Sequence, residues 1–445
     1  MKKREYLAFL VSFFCLTSWL SAQAPLVGIG DSIGEGVQSA DASFRTQPFT
    51  YLTRVASKMG VRLPLPLIRS GPLGVVGETN RRSRLQPSLE ALNLSVSGAD
   101  ANSLLNDRAD ALSEEEIRSE TDLVLFPRVG SQMEIAEALR PLTLLCWIGN
   151  NDTLSAATDW TDLDASQMTS VADFAAQFTE IADRLGALQT RVVLANIPDV
   201  TAIGFLFDRQ DLIHFLGSDF GLAEGSYTTL PTMLILSLGF GDRLIQNPDF
   251  VLDPSEVSQI RERTEIFNQI IQEEASRIGS AVVDIHTIFN DMVADPPTLF
   301  GVTISRRFLG GVFSLDGVHP SNLMHALVAN AFIQALNNRF QLAVPRLTTA
   351  ELVRVFFEDP FIDKDGDGRV RGRFGAGLLE TLAPLLGFSG DPDEFTFQQQ
   401  AHPSPKTRAD RLFRAYRKLG GESVLSPEPT QAEVIALFQD IFSLH

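Results

Sequence analysis

The sequence predicts a three-layer α/β/α fold with a central parallel sheet, followed by a small helical appendage at the C-terminus. Three observations predict it. Short, almost continuously apolar runs recur between residues 25 and 342, as strands covered on both faces require. Longer stretches of helical periodicity separate them, the order that right-handed crossovers and a parallel sheet demand. After residue 344 the texture changes to short helical patterns and an Asp/Arg/Gly-rich stretch. The chain's 445 residues also suit one unit of roughly 300 residues plus a smaller one.

The elements follow in order. Lys2, Lys3 and Arg4 precede an apolar stretch over 7–20 that is too short to span a bilayer, and Ser21-Ala22-Gln23-Ala24 offers small residues for cleavage. Residues 1–24 therefore read as an export signal. Cys15 lies inside the apolar stretch rather than at its end, which argues against a lipoprotein anchor. The mature protein is expected in the periplasm or outside the cell, with no stable membrane span. Residues 25–344 then form the main domain. Its strand candidates are Leu26-Val27-Gly28-Ile29-Gly30, Leu92-Asn93-Leu94-Ser95-Val96, the apolar run over 142–148, Val192-Val193-Leu194-Ala195-Asn196 and Ala281-Val282-Val283-Asp284-Ile285. Helical patterns cover 171–188 and 256–277. The prolines and glycines of 61–90 forbid a long helix and mark an irregular excursion. A second excursion, 202–247, is unusually apolar, and two roles are open to it: a lid or acyl-binding wall, or a helical hairpin packed on the core. Residues 345–445 form the appendage, with a basic helical pattern over 406–419 and a capping-box signal at Thr430-Gln431-Ala432-Glu433.

Composition narrows the function. The formal charge is −18, and removing three bases and Glu5 with the signal takes it to about −20. Such an acidic surface repels phosphate backbones and anionic membranes, so nucleic acid is not an expected partner. Loss of Cys15 leaves Cys146 alone, which excludes an internal disulfide and any Cys-based zinc site.

Four short patterns carry chemistry. Gly30-Asp31-Ser32-Ile33-Gly34 follows a strand candidate and opens a helix, where free N–H groups can stabilise negative charge. Alone, it reads better as a Ser N-cap in a Gly-rich turn. Gly149-Asn150-Asn151-Asp152 again follows a strand candidate; its Asn amide can donate to an oxyanion, or the segment can be an ordinary Asx turn. In Asp316-Gly317-Val318-His319-Pro320 the spacing brings a carboxylate to one ring nitrogen and leaves the other for a serine, unless it is a plain turn with a surface His. In Asn93-Leu94-Ser95-Val96-Ser97-Gly98-Ala99, Gly98 lets its N–H approach a ligand closely, a weak signal by itself.

Taken together, the four patterns resemble the SGNH hydrolase family, the GDSL lipases and esterases, across roughly residues 25–342. Ile33 stands where that family usually has Leu, a conservative departure. The resemblance implies Ser32 as nucleophile, His319 as general base and acid, and Asp316 as the group that orients His319. It implies an oxyanion hole from the backbone N–H groups of Ser32 and Gly98 with the Asn151 side chain, and a need for no metal or other cofactor. The expected activity is hydrolysis of lipid or other acyl esters through an acyl-enzyme, with a carbohydrate O-acetylesterase as the alternative. A catalytically silent binding or surface protein is the rival from another class, and the complete residue set argues against it.

The remaining histidines, His214, His286, His325, His402 and His445, lack the Asp-Gly-x-His-Pro setting and read as structural or solvated. Asp363, Asp365 and Asp367 at positions 1, 3 and 5, with Gly368 at position 6, begin an EF-hand-like calcium loop, but position 12 is Phe374, where a bidentate acid is required. An Asp/Gly turn is the better reading. A serine-directed phosphonate is expected to label the protein, and Ser32→Ala to abolish that labelling; a label retained by Ser32→Ala, followed by intact mass, would assign the nucleophile elsewhere.

Overall fold

A computed structural model describes residues 23–69, 83–241, 243–364, 370 and 430–441. Residues 1–22, the middle of the 61–90 excursion, most of the Asp363–Val370 run and the basic pattern at 406–419 lie outside the described residues.

Four strands, β1 (Val27–Gly30), β2 (Thr143–Trp147), β3 (Arg191–Ala195) and β4 (Ala281–Val283), pair in parallel and in that spatial order. The candidate at 92–96 lies on the free edge of β1 but is not a regular strand. Leu94 and Val96 donate to the carbonyls of Gly28 and Gly30 at 2.8 and 3.1 Å, and Gly28 donates to Leu92 at 3.0 Å. The Gly30 N–H, the next donor in this ladder, goes to Gln132 instead of to the segment, which leaves the ladder incomplete. The Asn93 side-chain oxygen takes the Ser95 N–H and its amide donates to the Gly34 carbonyl. With this edge segment counted, the order in chain numbering is 2-1-3-4-5, the flavodoxin-like arrangement.

The helices of the described residues include α1 (Ser32–Glu35), α2 (Tyr51–Met59), α3 (Ala101–Asn106), α4 (Asn151–Thr158), α5 (Val171–Gly186), α6 (Pro254–Ile278), α7 (Asn322–Phe340), α8 (Thr349–Glu358) and α9 (Gln431–Ile441). Strand residues alternate between the two faces of the sheet. Val27, Ile29, Leu144, Cys146, Val192 and Leu194 face one apolar core, which α5 and α6 close with Phe174, Phe178, Phe267 and Ile271. Leu145, Trp147, Val193 and Ala195 face a second, closed by α2 and α7 with Tyr51, Leu52, Phe332 and Ile333. Helices on both faces make three layers. The ends of α6 are written into its sequence. Asp253 and Glu256 form a capping box, Pro254 occupies the first turn, and Gly279 ends the helix in the left-handed conformation.

Of the two roles open to 202–247, the structure takes packing. A short hairpin pairs Leu206–Phe207 with Thr228–Thr229, and helices Arg209–Leu216 and Leu230–Ser237 flank it. Phe205, Phe207, Met233, Leu234 and Ile235 are all buried in the first core. The described parts of 345–445 carry helices that pack against the main domain. Val434, Leu437 and Phe438 of α9 enter the first core, where the helix packs on Leu230–Ser237. Val355 and Phe356 of α8 enter the second, and Ile362 bridges Gly310. No helix among the described residues is long and apolar enough to cross a membrane.

The rings of Phe174 and Phe267 stack 4.0 Å apart and join α5 to α6 across the first core. Phe267→Ala should destabilise the protein by about 3–5 kcal/mol through the cavity it leaves, read as a fall in the urea midpoint at unchanged slope.

Candidate active site

The site begins where β1 stops. A side chain at Gly30 would bring its Cβ within 2.3 Å of the Trp147 carbonyl oxygen on β2, and Gly30 has a φ of 151°, so only glycine fits. Gln132 holds the peptide from its other edge: its amide oxygen accepts the Gly30 N–H and its amide nitrogen donates to the Gly30 carbonyl, both at 2.9 Å. The next residue, Asp31, caps α1 by accepting the Ile33 N–H at 3.0 Å. Asp31, not Ser32, is therefore the N-cap. Ser32 takes the first helical position and its hydroxyl is left for other work. The second Asp31 oxygen accepts from Asn150 at 2.7 Å and ties the end of β1 to the end of β2. Burial pushes the Asp31 carboxyl up to about 6 against the lowering effect of these hydrogen bonds.

The loop before α7 brings the base to the serine. His319 Nε2 lies 2.9 Å from Ser32 Oγ, and Nδ1 lies 2.8 Å from Asp316 Oδ2. Burial alone would raise the Asp316 carboxyl. The adjacent His319 ring outweighs it, together with hydrogen bonds from the His319 and Ala40 N–H groups, and holds the acid below the usual range. Gly317 has a φ of 71° and sits 2.5 Å, measured from where its Cβ would be, from the backbone of Phe205. The loop is thus docked on the base of the 202–247 insertion, with Phe205 donating to the Gly317 carbonyl at 2.9 Å.

A small hairpin, absent from the sequence expectations, holds the acid in place. Val37–Gln38 pairs with Asp41–Ala42, and the two residues between them, Ser39 and Ala40, have φ values of 54° and 61°. Hairpin loops usually give such conformations to Asn or Gly, so no turn signal marked it. Ala40 donates to Asp316 Oδ2 and Ser39 to the Ser314 hydroxyl, both at 2.9 Å. Gln38 donates to the Pro320 carbonyl and the Asn322 side chain. Gln132 and Asn150 were likewise missed. Asn150 sat beside the residue singled out, and only tertiary contact shows that it serves Asp31.

Ser32, Gly98, Asn151 and His319 all line one cavity of about 310 Å³, the low end for small-molecule sites. Asp316 is buried behind His319. The N–H groups of Ser32 and Gly98 have no acceptor among the described residues. Asn151 opens α4 and donates one amide hydrogen to the Ala99 carbonyl at 2.8 Å. Val37, Leu154 and Val318 supply apolar wall, while Ser155, Thr158, Gln167 and Thr169 supply hydroxyl and amide groups. No residue of 202–247 lines this cavity.

Among the described residues, the other histidines do not line this cavity. His325 is buried on α7, accepts the Tyr51 N–H and is pushed down to about 3 by burial. His286 places Nδ1 3.0 Å from the Ile197 carbonyl, and His214 is exposed. His402 and His445 lie outside the described residues, as do Asp365 and Asp367. Among the described residues no three His, Cys, Asp or Glu side chains cluster to hold a metal ion.

Asp152, on the first turn of α4, is fully buried and accepts the Ala101 N–H at 2.9 Å. Burial raises its carboxyl from 3.8 to about 7. The folded state therefore holds this proton where the unfolded chain has released it, and stability falls as pH rises from about 4 to about 7. Asp152→Asn mimics the neutral acid and should gain stability relative to wild type across that window; urea midpoints between pH 4 and pH 8 check it, and a difference independent of pH would contradict it.

Residues 26–332 match the family model described as GDSL-like lipase/acylhydrolase. Among solved structures, an α/β hydrolase from the metagenome of Lake Arreo, Spain, is 15% identical with a TM-score of 0.37, covering 70% of this chain and 94% of its own. The acetylxylan esterase Axe2 from Geobacillus stearothermophilus is 16% identical with a TM-score of 0.35, covering 71% and 94%. A lipase/acylhydrolase from Enterococcus faecalis is 11% identical with a TM-score of 0.34, covering 73% and 100%. Likenesses this distant carry no argument about substrate. No curated protein matches the chain.

Proposed function

The chain belongs to the GDSL-like lipase/acylhydrolase family and is a carboxylic ester hydrolase, and on that premise we propose that it is an exported serine esterase that cleaves short-acyl esters through an acyl-enzyme. One observation carries the mechanism: the unbroken relay from Asp316 through His319 to Ser32, at 2.8 and 2.9 Å, opens onto a cavity edged by free N–H groups. Ser32 Oγ attacks the ester carbonyl carbon while His319 Nε2 takes the hydroxyl proton. The negative charge that develops on the carbonyl oxygen is met by the N–H groups of Ser32 and Gly98 and the remaining amide hydrogen of Asn151. The C–O bond then breaks, and His319 returns the proton to the departing alcohol. Water repeats the sequence on the acyl-enzyme, with His319 again as base, and frees the acid. Asp316 keeps the ring in the tautomer that presents a bare Nε2 to the serine.

The acyl preference follows from the walls. A fatty-acyl preference would need 202–247 to wall the cleft, and Phe205, Phe207, Met233, Leu234 and Ile235 lie in the first core instead. A cavity of this size, with hydroxyl and amide groups on its far wall, supports a short acyl group. It also supports the second reading, a carbohydrate O-acetylesterase, because Ser155, Thr158, Gln167 and Thr169 can hydrogen-bond a hydroxyl-rich alcohol. Export rests on the composition of residues 1–24 and on the acidic mature chain.

An ester series from acetyl to dodecanoyl, run on wild type and Ser32→Ala, tests this. We expect acetyl and butyryl esters to turn over at least about tenfold faster than decanoyl and longer ones, and Ser32→Ala to lose about 10⁴-fold or more. A preference for long chains would overturn the short-acyl reading, and undiminished turnover by Ser32→Ala would overturn the nucleophile.

A further inference from the structure

We propose that Glu35 is a positioning residue of the oxyanion hole: its buried carboxyl, carried on the same one-turn helix as the nucleophile, holds Ser97 so that the neighbouring Gly98 N–H points into the cavity. The inference rests on the serine-esterase reading above. Glu35 is the last residue of α1, three positions after Ser32, and has no exposed surface. One of its oxygens, Oε2, accepts the Ser97 backbone N–H at 2.7 Å and the Ser97 hydroxyl at 2.5 Å. Ser97 and Gly98 both border the cavity beside Ser32.

The placement matters because of how the loop is otherwise held. On one side, Val96 donates to the Gly30 carbonyl at 3.1 Å. On the other, Ala99 accepts from Asn151 and Ala101 donates to Asp152. Gly98, at a φ of 77°, is the turn between these anchors. The bond from Glu35 fixes the peptide immediately before it and ties it to the helix that carries Ser32. Nucleophile and donor then shift together, and the distance between them is preserved. A buried carboxyl is costly unless its oxygens are hydrogen-bonded, and an apolar side chain would fill the space without that cost. The two bonds to Ser97 offset part of that cost and are what the carboxyl supplies to the loop.

The test uses Glu35→Ala and Glu35→Gln in the full chain. Competent sites are counted by phosphonate titration, turnover is measured per site on an acetyl ester, and a trifluoromethyl ketone serves as the tetrahedral analogue. Removing an oxyanion donor outright costs about 10²–10³, so Glu35→Ala should lose about tenfold to a hundredfold in kcat, with KM within about twofold. Affinity for the ketone should fall by the same factor. Glu35→Gln keeps an acceptor oxygen for the Ser97 N–H and should recover to within about threefold of wild type. A Glu35→Ala protein that keeps kcat per site within twofold, or that loses kcat with ketone affinity unchanged, overturns the proposal. Should Glu35→Ala fail to fold, the double variant Glu35→Gln/Ser97→Ala carries the same test, with a kcat loss beyond that of Glu35→Gln alone expected and no further loss overturning it. A wild type that neither hydrolyses esters nor takes up phosphonate overturns the esterase reading itself, and this inference with it.

Discussion

Gly30 and the Trp147 carbonyl approach so closely that no side chain fits between them, and the rest of the site depends on that contact. It lets β1 and β2 end side by side, and the first residues after both strands then share one space. Ser32 leaves from one and Asn150 and Asn151 from the other. This is the point in the 2-1-3-4-5 order where the direction of winding reverses, and crossover loops on either side part to leave a crevice. The Asp31–Asn150 bond closes the base of the crevice. Its cost is visible in Asp31, whose carboxyl is raised by burial even though it is well hydrogen-bonded.

The relay is held by elements far apart in the chain. Asp316 receives N–H groups from its own loop and from Ala40, which lies more than 270 residues earlier. The loop also rests on Phe205, at the root of an insertion whose apolar side chains fill the first core. Insertion and hairpin thus act as supports for the loop that carries Asp316 and His319, one from below and one from the side. The backbone strain at Ser39 and Ala40 sits where two consecutive N–H groups must face Ser314 and Asp316, a common place for strain to be kept.

Much of the fold was legible because each layer writes a periodicity. β1 to β4 appeared as apolar runs, and α6 announced both ends by a capping box and a terminal glycine. The segment 92–96 had the apolar content of a strand, but the Gly30 N–H that would continue its ladder goes to Gln132, about a hundred residues away in the chain. For 202–247 the sequence could not separate a lid from a core hairpin, since both are apolar. Val434, Leu437 and Phe438 of α9 gave an amphipathic helix but no address, and only contact shows that it packs on Leu230–Ser237.

By itself the sequence determined the chemical parts: a serine after a Gly-Asp turn, an Asn after the strand that becomes its neighbour, and a His three residues beyond an Asp. These follow from spacing within a few residues, which local backbone geometry constrains. Tertiary structure decided which competing role each part plays. It made Asp31 the cap and so released the Ser32 hydroxyl to His319. It placed Gln132, Asn150, Glu35 and the 37–42 hairpin around the site, and it kept 202–247 out of the cavity. The reason is physical. A buried polar group must find a partner, and when that partner lies a hundred residues away the pairing exists only once the chain has closed on itself.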